Sequence, residues 1–366
     1  MQTLQNRSTG HSRKGCAAYG DGSRRNPCLR LRPLLLSAVL LTGCPQAAPA
    51  RKKQVRIGIT LYDQYDTFLS EMMDSFQKEV SRKRTEEDLE ITTDVYNASF
   101  SQTTQNSQVE DMIRSGCDVI LVNLVDRTSP TQIIDAARNA DVPVIFFNRE
   151  LVPEDLLMWE KLYYVGADAW QSGVMEGELA AALCRDPAAG VDRNGDGLIQ
   201  YFVLEGEAGH QDAIVRSESS VNTMIEEGVR LEKTGYAIAN WNRAQAQTQT
   251  AQMIARGSGV ELILCNNDDM ALGAIDAYEN NGTALSDRPR IFGIDGTEVG
   301  LQAIKNGTLA GTVLNDQRGQ AEAMCSLALS LACGESLEGL GLSDGKYIRL
   351  PYEKVTADNV GSFRGR

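Results

Sequence analysis

Short apolar runs rich in β-branched residues alternate along the chain with longer amphipathic stretches. The runs predict eleven strands, and most stretches between them have helical length. The predicted strands cover residues 55–61, 89–95, 119–122, 142–147, 163–165, 199–204, 231–238, 261–265, 290–293, 312–314 and 347–350. The predicted helices cover residues 68–80, 105–115, 131–140, 169–183, 212–227, 245–255, 270–280 and 320–332.

This alternation predicts an α/β fold of parallel sheets with helices on both faces. Eleven strands are too many for one doubly wound unit, so two such units are expected. Ligands of open α/β sheets bind beyond the carboxyl ends of the strands, so functional residues are expected there. The chain contains neither GxGxxG nor GxxxxGK[ST], so the motifs give no support for a dinucleotide or P-loop site.

The first residues have a different pattern. A basic segment at 1–32 precedes the apolar run 34–41, which is too short for a membrane-spanning helix and predicts a signal peptide. The sequence Leu41-Thr42-Gly43-Cys44 resembles a bacterial lipobox. Residues 1–43 would then be removed, Cys44 would be lipidated, and 44–53 would form a flexible tether outside the cytoplasm. An ordinary secretory signal with a chance cysteine is the alternative.

Composition narrows the possible functions. A formal net charge of −13 disfavours non-specific binding to nucleic acid. Without the leader His210 is the only histidine, which excludes metal sites that need two. Five cysteines remain after the leader and Cys44, without CxxC spacing, so neither a disulfide framework nor a zinc site is predicted. Most of them are expected to be buried thiols.

Polar and aromatic residues follow many of the predicted strands. Carboxylates and amides accept and donate hydrogen bonds, arginine supplies a fork of donors, and aromatic faces cover the C–H faces of a pyranose. The mixture suits an uncharged polyol better than an anion, and it contains no reactive nucleophile. Taken singly, Asp66 or Asp295 would more simply cap a helix, and His210 is as readily structural.

Several stretches resemble the periplasmic-binding-protein type I family, most closely its glucose/galactose-binding members from ABC importers. They include residues 56–62, 123–126, 142–148, 163–166, 206–212, 266–273, 307–316 and 349–352. The resemblance covers residues 55–358. It implies two doubly wound lobes joined by a three-segment hinge, one formed by 54–164 with 317–349 and the other by 165–315 with 352–366.

The resemblance also implies a function. The chain would be a monomeric solute-binding lipoprotein, not an enzyme, that captures glucose or galactose between the lobes. Closure around the sugar would let the permease of an ABC importer recognise it. The implied sugar contacts are Asp66, Asn148, His210, Asp212, Arg216, Asn267, Asp295 and Asn315, with Phe68 and Trp241 as the aromatic sandwich.

A second motif lies at 192–200, where the sequence DRNGDGLIQ fits the start of a calcium-binding loop. Position 12 would be Val203, which supplies no carboxylate, so the motif alone leaves calcium and a simple Asp/Asn/Gly turn open. The resemblance implies that Glu261 completes the shell of a structural Ca²⁺. The implied ligands are Asp192, Asn194, Asp196, the Leu198 carbonyl, Gln200 and Glu261.

Three alternatives compete with import. A glycosidase could use Asp66 with Asp212 or Asp295 as an acid/base pair. A LacI-like regulator would need a helix-turn-helix where this chain has its lipobox-like segment. A sugar sensor that presents its ligand to a chemoreceptor or signalling receptor would use the same cleft, and nothing in the sequence separates it from import.

Overall fold

The computed structural model describes residues 52–363. The predicted signal peptide, Cys44 and most of the predicted tether lie outside the described residues. The strands are β1 Gln54–Leu61, β2 Glu90–Asn97, β3 Val119–Val122, β4 Val144–Phe147, β5 Leu162–Ala167, β6 Ile199–Glu205, β7 Leu231–Ile238, β8 Leu262–Cys265, β9 Arg290–Phe292, β10 Thr312–Asn315, β11 Tyr347–Leu350 and β12 Tyr352–Val355. The helices are α1 Thr67–Glu86, α2 Gln102–Arg114, α3 Thr131–Ala140, α4 Pro153–Leu156, α5 Ala169–Arg185, α6 Gln211–Glu226, α7 Arg243–Ala255, α8 Asp268–Asn280, α9 Glu298–Lys305 and α10 Gln317–Cys333.

The first sheet has six parallel strands in the order β11-β5-β4-β3-β1-β2. Helices α1 and α10 contribute Phe76 and Met324 to the core on one face, while α2 and α3 contribute Met112 and Ile133 on the other. Strands β3 and β4 are therefore buried on both faces, which explains why they consist of continuous apolar runs. Strand β11 reaches this sheet from near the end of the chain.

The second sheet has four parallel strands in the order β7-β6-β8-β9. Helices α5 and α6 cover one face, and α7, α8 and α9 cover the other. Strands β10 and β12 form a separate antiparallel pair. Two isolated parallel bridges, one of them between Asp295 and Leu314, join β10 to the segment around β9.

The α/β fold with parallel sheets is confirmed, and all eleven predicted strands are present within a few residues of their expected bounds. Strand β12 was not predicted, and its antiparallel pairing departs from the all-parallel expectation. Pro351, which has no backbone N–H to donate, separates it from β11, and the chain changes partner there. The short helices α4 and α9 were also missed. The lobe boundaries stay a prediction.

Two further features of residues 52–363 bear on the expectations. None of the helices in this range is both long and apolar enough to cross a bilayer. The five cysteines are free thiols, as predicted, and Cys117, Cys265 and Cys325 are buried.

Candidate functional site

One cleft at the carboxyl ends of both sheets gathers most of the predicted sugar-binding residues. It contains about 380 Å³ of empty space. Nine of the ten predicted residues line it, namely Asp66, Phe68, Asn148, His210, Asp212, Arg216, Trp241, Asn267 and Asp295. The tenth, Asn315, is buried at the end of β10 and does not line this cleft. Its backbone N–H donates to the carbonyl of Asp295 (3.0 Å), and its side chain accepts from Gln320 (2.6 Å).

Three of the cleft residues are also helix N-caps. The side chain of Asp66 accepts the N–H three residues ahead at 2.9 Å and begins α1. His210 Nδ1 accepts the N–H two residues ahead at 3.2 Å, and Asn267 accepts the N–H three residues ahead at 3.0 Å. Capping and facing the cleft are therefore compatible, because each helix begins where a strand ends. Asp295 caps no helix; Thr297 caps α9 instead.

Backbone strain marks three cleft positions. Asn148 (φ 60°), Trp241 (φ 61°) and Asp295 (φ 120°) all occupy the positive-φ region that favours glycine. Such strain costs on the order of 1–3 kcal/mol per residue and concentrates at functional sites. A glycine is required beside the indole, since a Cβ at Gly206 would lie 2.3 Å from a ring atom of Trp241.

Arg216 is buried at the base of the cleft. It donates to the backbone carbonyl of Asn266 (2.7 Å) and to the Tyr352 hydroxyl (3.2 Å), and it lies 3.8 Å from a carboxylate oxygen of Asp295. Its Nε has no partner among the described residues. A ligand hydroxyl at this position would satisfy that donor.

Burial changes the proton affinity of the cleft residues. It raises the pKa of the Asp66, Asp212 and Asp295 carboxyls. The Arg216 guanidinium opposes the shift at Asp212 and Asp295, and the Tyr62 hydrogen bond is the largest opposing cause at Asp66. Burial, followed by the Arg149 and Arg216 guanidiniums, lowers the pKa of His210 well below its ordinary value, so the imidazole is neutral at pH 7. The cleft thus combines acceptors, donors and a neutral ring, which suits a polar ligand without net charge.

Two further residues line the cleft, Tyr62 and Arg149, which the sequence analysis did not assign as sugar contacts. The Tyr62 hydroxyl donates to Asp66 at 2.6 Å, and the Arg149 guanidinium lies 3.7 Å from the centre of the Tyr62 ring. Arg149 also forms an ion pair with Glu207 at 2.8 Å. Tyr62 directly follows the predicted strand 55–61, and Arg149 comes two residues after the predicted strand 142–147. Their positions at strand ends were the signal that could have identified them as cleft residues.

Polar contacts connect residues that follow strands of the first sheet with residues that follow strands of the second. The Thr67 hydroxyl donates to Asp269 at 2.7 Å. The backbone N–H of Glu298, at the start of α9, donates to the Glu71 carboxylate on α1 at 3.2 Å. With the Arg149–Glu207 pair, these contacts hold the two sides of the cleft together.

The side chains of five predicted calcium ligands all make hydrogen bonds with residues of the 192–200 loop. Asn194 and Gln200 each donate an amide N–H to the same Asp196 oxygen at 3.0 Å. Asp192 accepts two backbone N–H groups of the loop, at 2.7 and 2.9 Å. Glu261, directly before β8, accepts the N–H of Arg193 at 2.6 Å, which attaches the loop to the second sheet.

This donor set fits Ca²⁺, which prefers carboxylate, amide and carbonyl oxygens. Its carboxylates alone do not make the site: no group of three or more His, Cys, Asp or Glu side chains between residues 52 and 363 is close enough to hold a metal ion. The Asn194 and Gln200 amides would have to turn their oxygens toward the ion. The assignment stays a prediction.

Comparison with known proteins identifies the family. Residues 57–336 match the family model described as periplasmic binding protein domain. The chain belongs to the periplasmic binding protein family. As predicted, it is not an enzyme, because the relatives that it matches are solute-binding proteins.

Individual periplasmic binding proteins extend the comparison. The D-galactose/methyl-galactoside binding periplasmic protein of Haemophilus influenzae is 36% identical over 313 residues, or 84% of this chain and 91% of the relative. The ribose import binding protein of Bacillus subtilis is 27% identical over 288 residues, 76% of this chain and 85% of the relative. The crystal structure of an ABC transporter solute binding protein from Bacillus halodurans, with bound myo-inositol, has a TM-score of 0.71 and 29% identity, and covers 86% of this chain and 98% of its own.

Proposed function

We propose that this protein works outside the cytoplasm. It binds a neutral hexose, glucose or galactose, in the cleft and delivers the sugar to the permease of an ABC importer. The observation that carries the proposal is the convergence of nine of the ten residues implied by the family resemblance on one cleft reached from both sheets. The 36% identity to a galactose-binding relative supports the choice of a hexose. No observation favours the sensor alternative, which would use the same cleft.

Each class of cleft residue has a part in recognition. Asp66, Asp212 and Asp295 would accept hydrogen bonds from sugar hydroxyls. Arg216 and the amides of Asn148 and Asn267 would donate to them, and Phe68 and Trp241 would cover the two faces of the ring. Burial of these charges is tolerable because the hydroxyls replace the water that the cleft excludes.

Binding would be coupled to closure. A sugar that touches both sides of the cleft gains its full set of contacts only when the two sides approach, so it shifts the equilibrium toward the closed form. We assign the hinge to the three segments near 164–165, 315–317 and 349–352, where the two lobes would meet. The closed form is the one that the permease would recognise.

Titration calorimetry tests the ligand. Glucose and galactose are expected to bind with one site per chain, and ribose, xylose, xylitol and myo-inositol are expected to bind at least tenfold more weakly. Preference for a pentose or for inositol would contradict the hexose assignment while leaving the cleft in place. A lack of heat with every sugar and polyol would contradict the proposal as a whole.

We also propose that the 192–200 loop holds a structural Ca²⁺ that joins it to Glu261. A bound ion would stabilise the native state by mass action, so the midpoint of thermal unfolding should rise when CaCl₂ is added and fall on chelation. Glu261→Gln should abolish that response, whereas Glu226→Gln, an exposed acid at the end of α6, should retain it. The same midpoint with and without CaCl₂ in the wild type would contradict the assignment.

Attachment to the membrane through a lipid on Cys44 remains part of the proposal. The wild-type protein is expected in the membrane fraction of the expressing cells, and Cys44→Ser is expected to release it. An unchanged distribution of the two forms would contradict lipidation and leave the cleft proposal untouched.

A further inference from the structure

Two turns at the cleft have the same construction. One turn follows β2, which pairs with β1, and the other follows β7, which pairs with β6. Each turn leads into a helix that is capped by a side chain, α2 after the first turn and α7 after the second. Each contains two consecutive residues with positive φ, 49° then 61° in both turns. The pairs are Ser99-Phe100 and Asn240-Trp241. Phe100 is therefore the structural counterpart of Trp241 on the opposite sheet.

The strain in the first turn requires an explanation. An aromatic residue rarely adopts a left-handed backbone, and residues held in such conformations cluster at ligand sites and switch regions. The Phe100 N–H donates to the Tyr62 carbonyl at 2.9 Å, and the two rings meet edge to face at 5.4 Å. Phe100 nevertheless remains 63% exposed. The fold thus presents this ring to solvent instead of packing it into the core.

A second cavity lies where Phe100 is exposed. It has about 900 Å³ of space, part of it open to solvent, and it shares Tyr62, Asp66 and Trp241 with the cleft. Tyr65, which is 78% exposed, lines it together with Phe100 on the side of the first sheet. Asn240, Asn242 and Gln245 line it on the side of the second sheet.

The lining has the chemistry of a carbohydrate site. Exposed aromatic faces cover the apolar C–H surface of a pyranose, and amides exchange hydrogen bonds with its hydroxyls. Asn240 donates to Gln245 at 2.8 Å, so these two amides lie side by side at the wall. The lining includes carboxylates but neither Lys nor Arg, which disfavours an anionic ligand.

We infer that this cavity, the outer subsite (Tyr65, Phe100, Asn240, Asn242 and Gln245), binds the second ring of a neutral disaccharide whose first ring occupies the cleft. The inference rests on the proposed function, because the cleft must hold a sugar first. Tyr65 and Phe100 would stack on the second ring, and the amides of the opposite turn would contact its hydroxyls.

Calorimetry with hexose disaccharides of different linkage tests the outer subsite. The probes are lactose, melibiose, cellobiose and maltose, each compared with galactose and glucose. At least one disaccharide is expected to bind the wild type with an affinity within tenfold of the better monosaccharide. Phe100→Ala and Tyr65→Ala should each weaken that disaccharide at least fivefold and change monosaccharide affinity less than twofold. Both side chains are exposed, so both variants should fold.

Two controls make the result specific. Tyr236→Ala removes another exposed aromatic, on β7 and outside the cavity lining, and should change neither affinity. Trp241→Ala should weaken both ligands, because its ring faces both spaces. Binding of monosaccharides with no binding of any disaccharide would overturn the outer subsite and leave the cleft proposal standing. Equal losses for both ligands in Phe100→Ala would also overturn it, and failure of all sugars to bind would remove its basis.

Discussion

The cleft and the 192–200 loop are both clusters of polar side chains, but they are assembled differently. Cleft residues come from the ends of separate strands on two sheets, and several of their polar atoms are buried. In the 192–200 loop the side chains of Asp192, Asn194 and Asp196 bond to residues within six positions of them along the chain. Longer-range contacts run from Arg193 and Gln200 to Glu232, Glu261 and the Asp287 carbonyl. The loop satisfies the carboxylates of Asp192 and Asp196 locally, whereas the cleft depends on the whole fold.

The difference determines how each region should respond to substitution. Removing a charge from the cleft leaves its former partners buried, where unpaired charge is costly. Removing a charge from the loop leaves groups that water can reach. Substitutions in the cleft are therefore expected to change the free energy of unfolding most. Substitutions in the loop should change it least when it is measured without calcium.

Arg216→Leu should have the largest effect. It leaves Asp295 buried without its cation, so we expect the free energy of unfolding to fall by about 3–5 kcal/mol and hexose binding to be lost. Arg243→Leu is the matched control, because Arg243 pairs with Asp276 near the surface at 2.6 Å and should cost about 1 kcal/mol or less. Urea unfolding and calorimetry measure both effects. Equal losses of stability in Arg216→Leu and Arg243→Leu would contradict the expected difference between the buried and the exposed ion pair.

The stability of the protein should depend on pH because of Glu176, a buried acid near Arg216. This acid is fully buried on α5, and burial raises its pKa to about 8 despite the neighbouring Arg216. Between the ordinary pKa and 8 the folded protein keeps a proton that the unfolded chain releases. Stability should therefore fall with rising pH, with a slope of up to about 1.4 kcal/mol per pH unit.

Glu176→Gln should remove that contribution, so its unfolding free energy should vary less than that of the wild type from pH 5 to 8. Glu178→Gln, on the same helix, changes an acid that is partly exposed and paired with Lys354. It should keep the wild-type slope. Parallel pH profiles for the wild type and Glu176→Gln would show that this carboxyl is ionised in the folded protein.

Trp241→Ala should weaken hexose binding by about 1–3 kcal/mol, because the ligand loses an aromatic face. Trp170→Ala is the control. Trp170 is 60% exposed near the start of α5 and does not line the cleft, so its removal should leave the affinity unchanged. Calorimetry measures both, and full affinity in Trp241→Ala would exclude the indole from the binding surface.

Asp196→Asn should have the smallest effect of these substitutions on the unfolding free energy of the calcium-free protein. The Asp196 side chain is exposed, and an amide still accepts the N–H of Leu198 that the carboxylate accepts at 2.7 Å. With CaCl₂ present, the variant should lack the stabilisation expected of the wild type. A large loss without calcium would mean that the loop depends on this charge for its own folding.

The sequence predicted the presence of most helices and strands better than the residues at which they begin and end. Buried strands such as β3 and β4 are continuous apolar runs, so their pattern identifies them directly. Strand β12 was missed because it follows β11 after a single residue, Pro351, and a change of partner leaves no periodic signal. Helix starts were misjudged by up to three residues, since polar capping turns resemble loops.

For the cleft, strand-end position indicated the region and the family resemblance supplied the residues. Tyr62 and Arg149 were not assigned because their placement depends on a contact with each other, in which the Arg149 guanidinium lies against the Tyr62 ring. The burial of Asn315 away from the cleft depends on the pairing of β10, which no local pattern reports.

The route of the chain through the two sheets has a consequence for biosynthesis. The second sheet is built from consecutive strands and is complete once β9 has been made, whereas the first sheet waits for β11. A chain that emerges from its amino end can therefore finish the later sheet before the earlier one. Until Tyr347 arrives beside Tyr164, β5 is an unpaired edge, and a partly made chain is exposed to misassociation there.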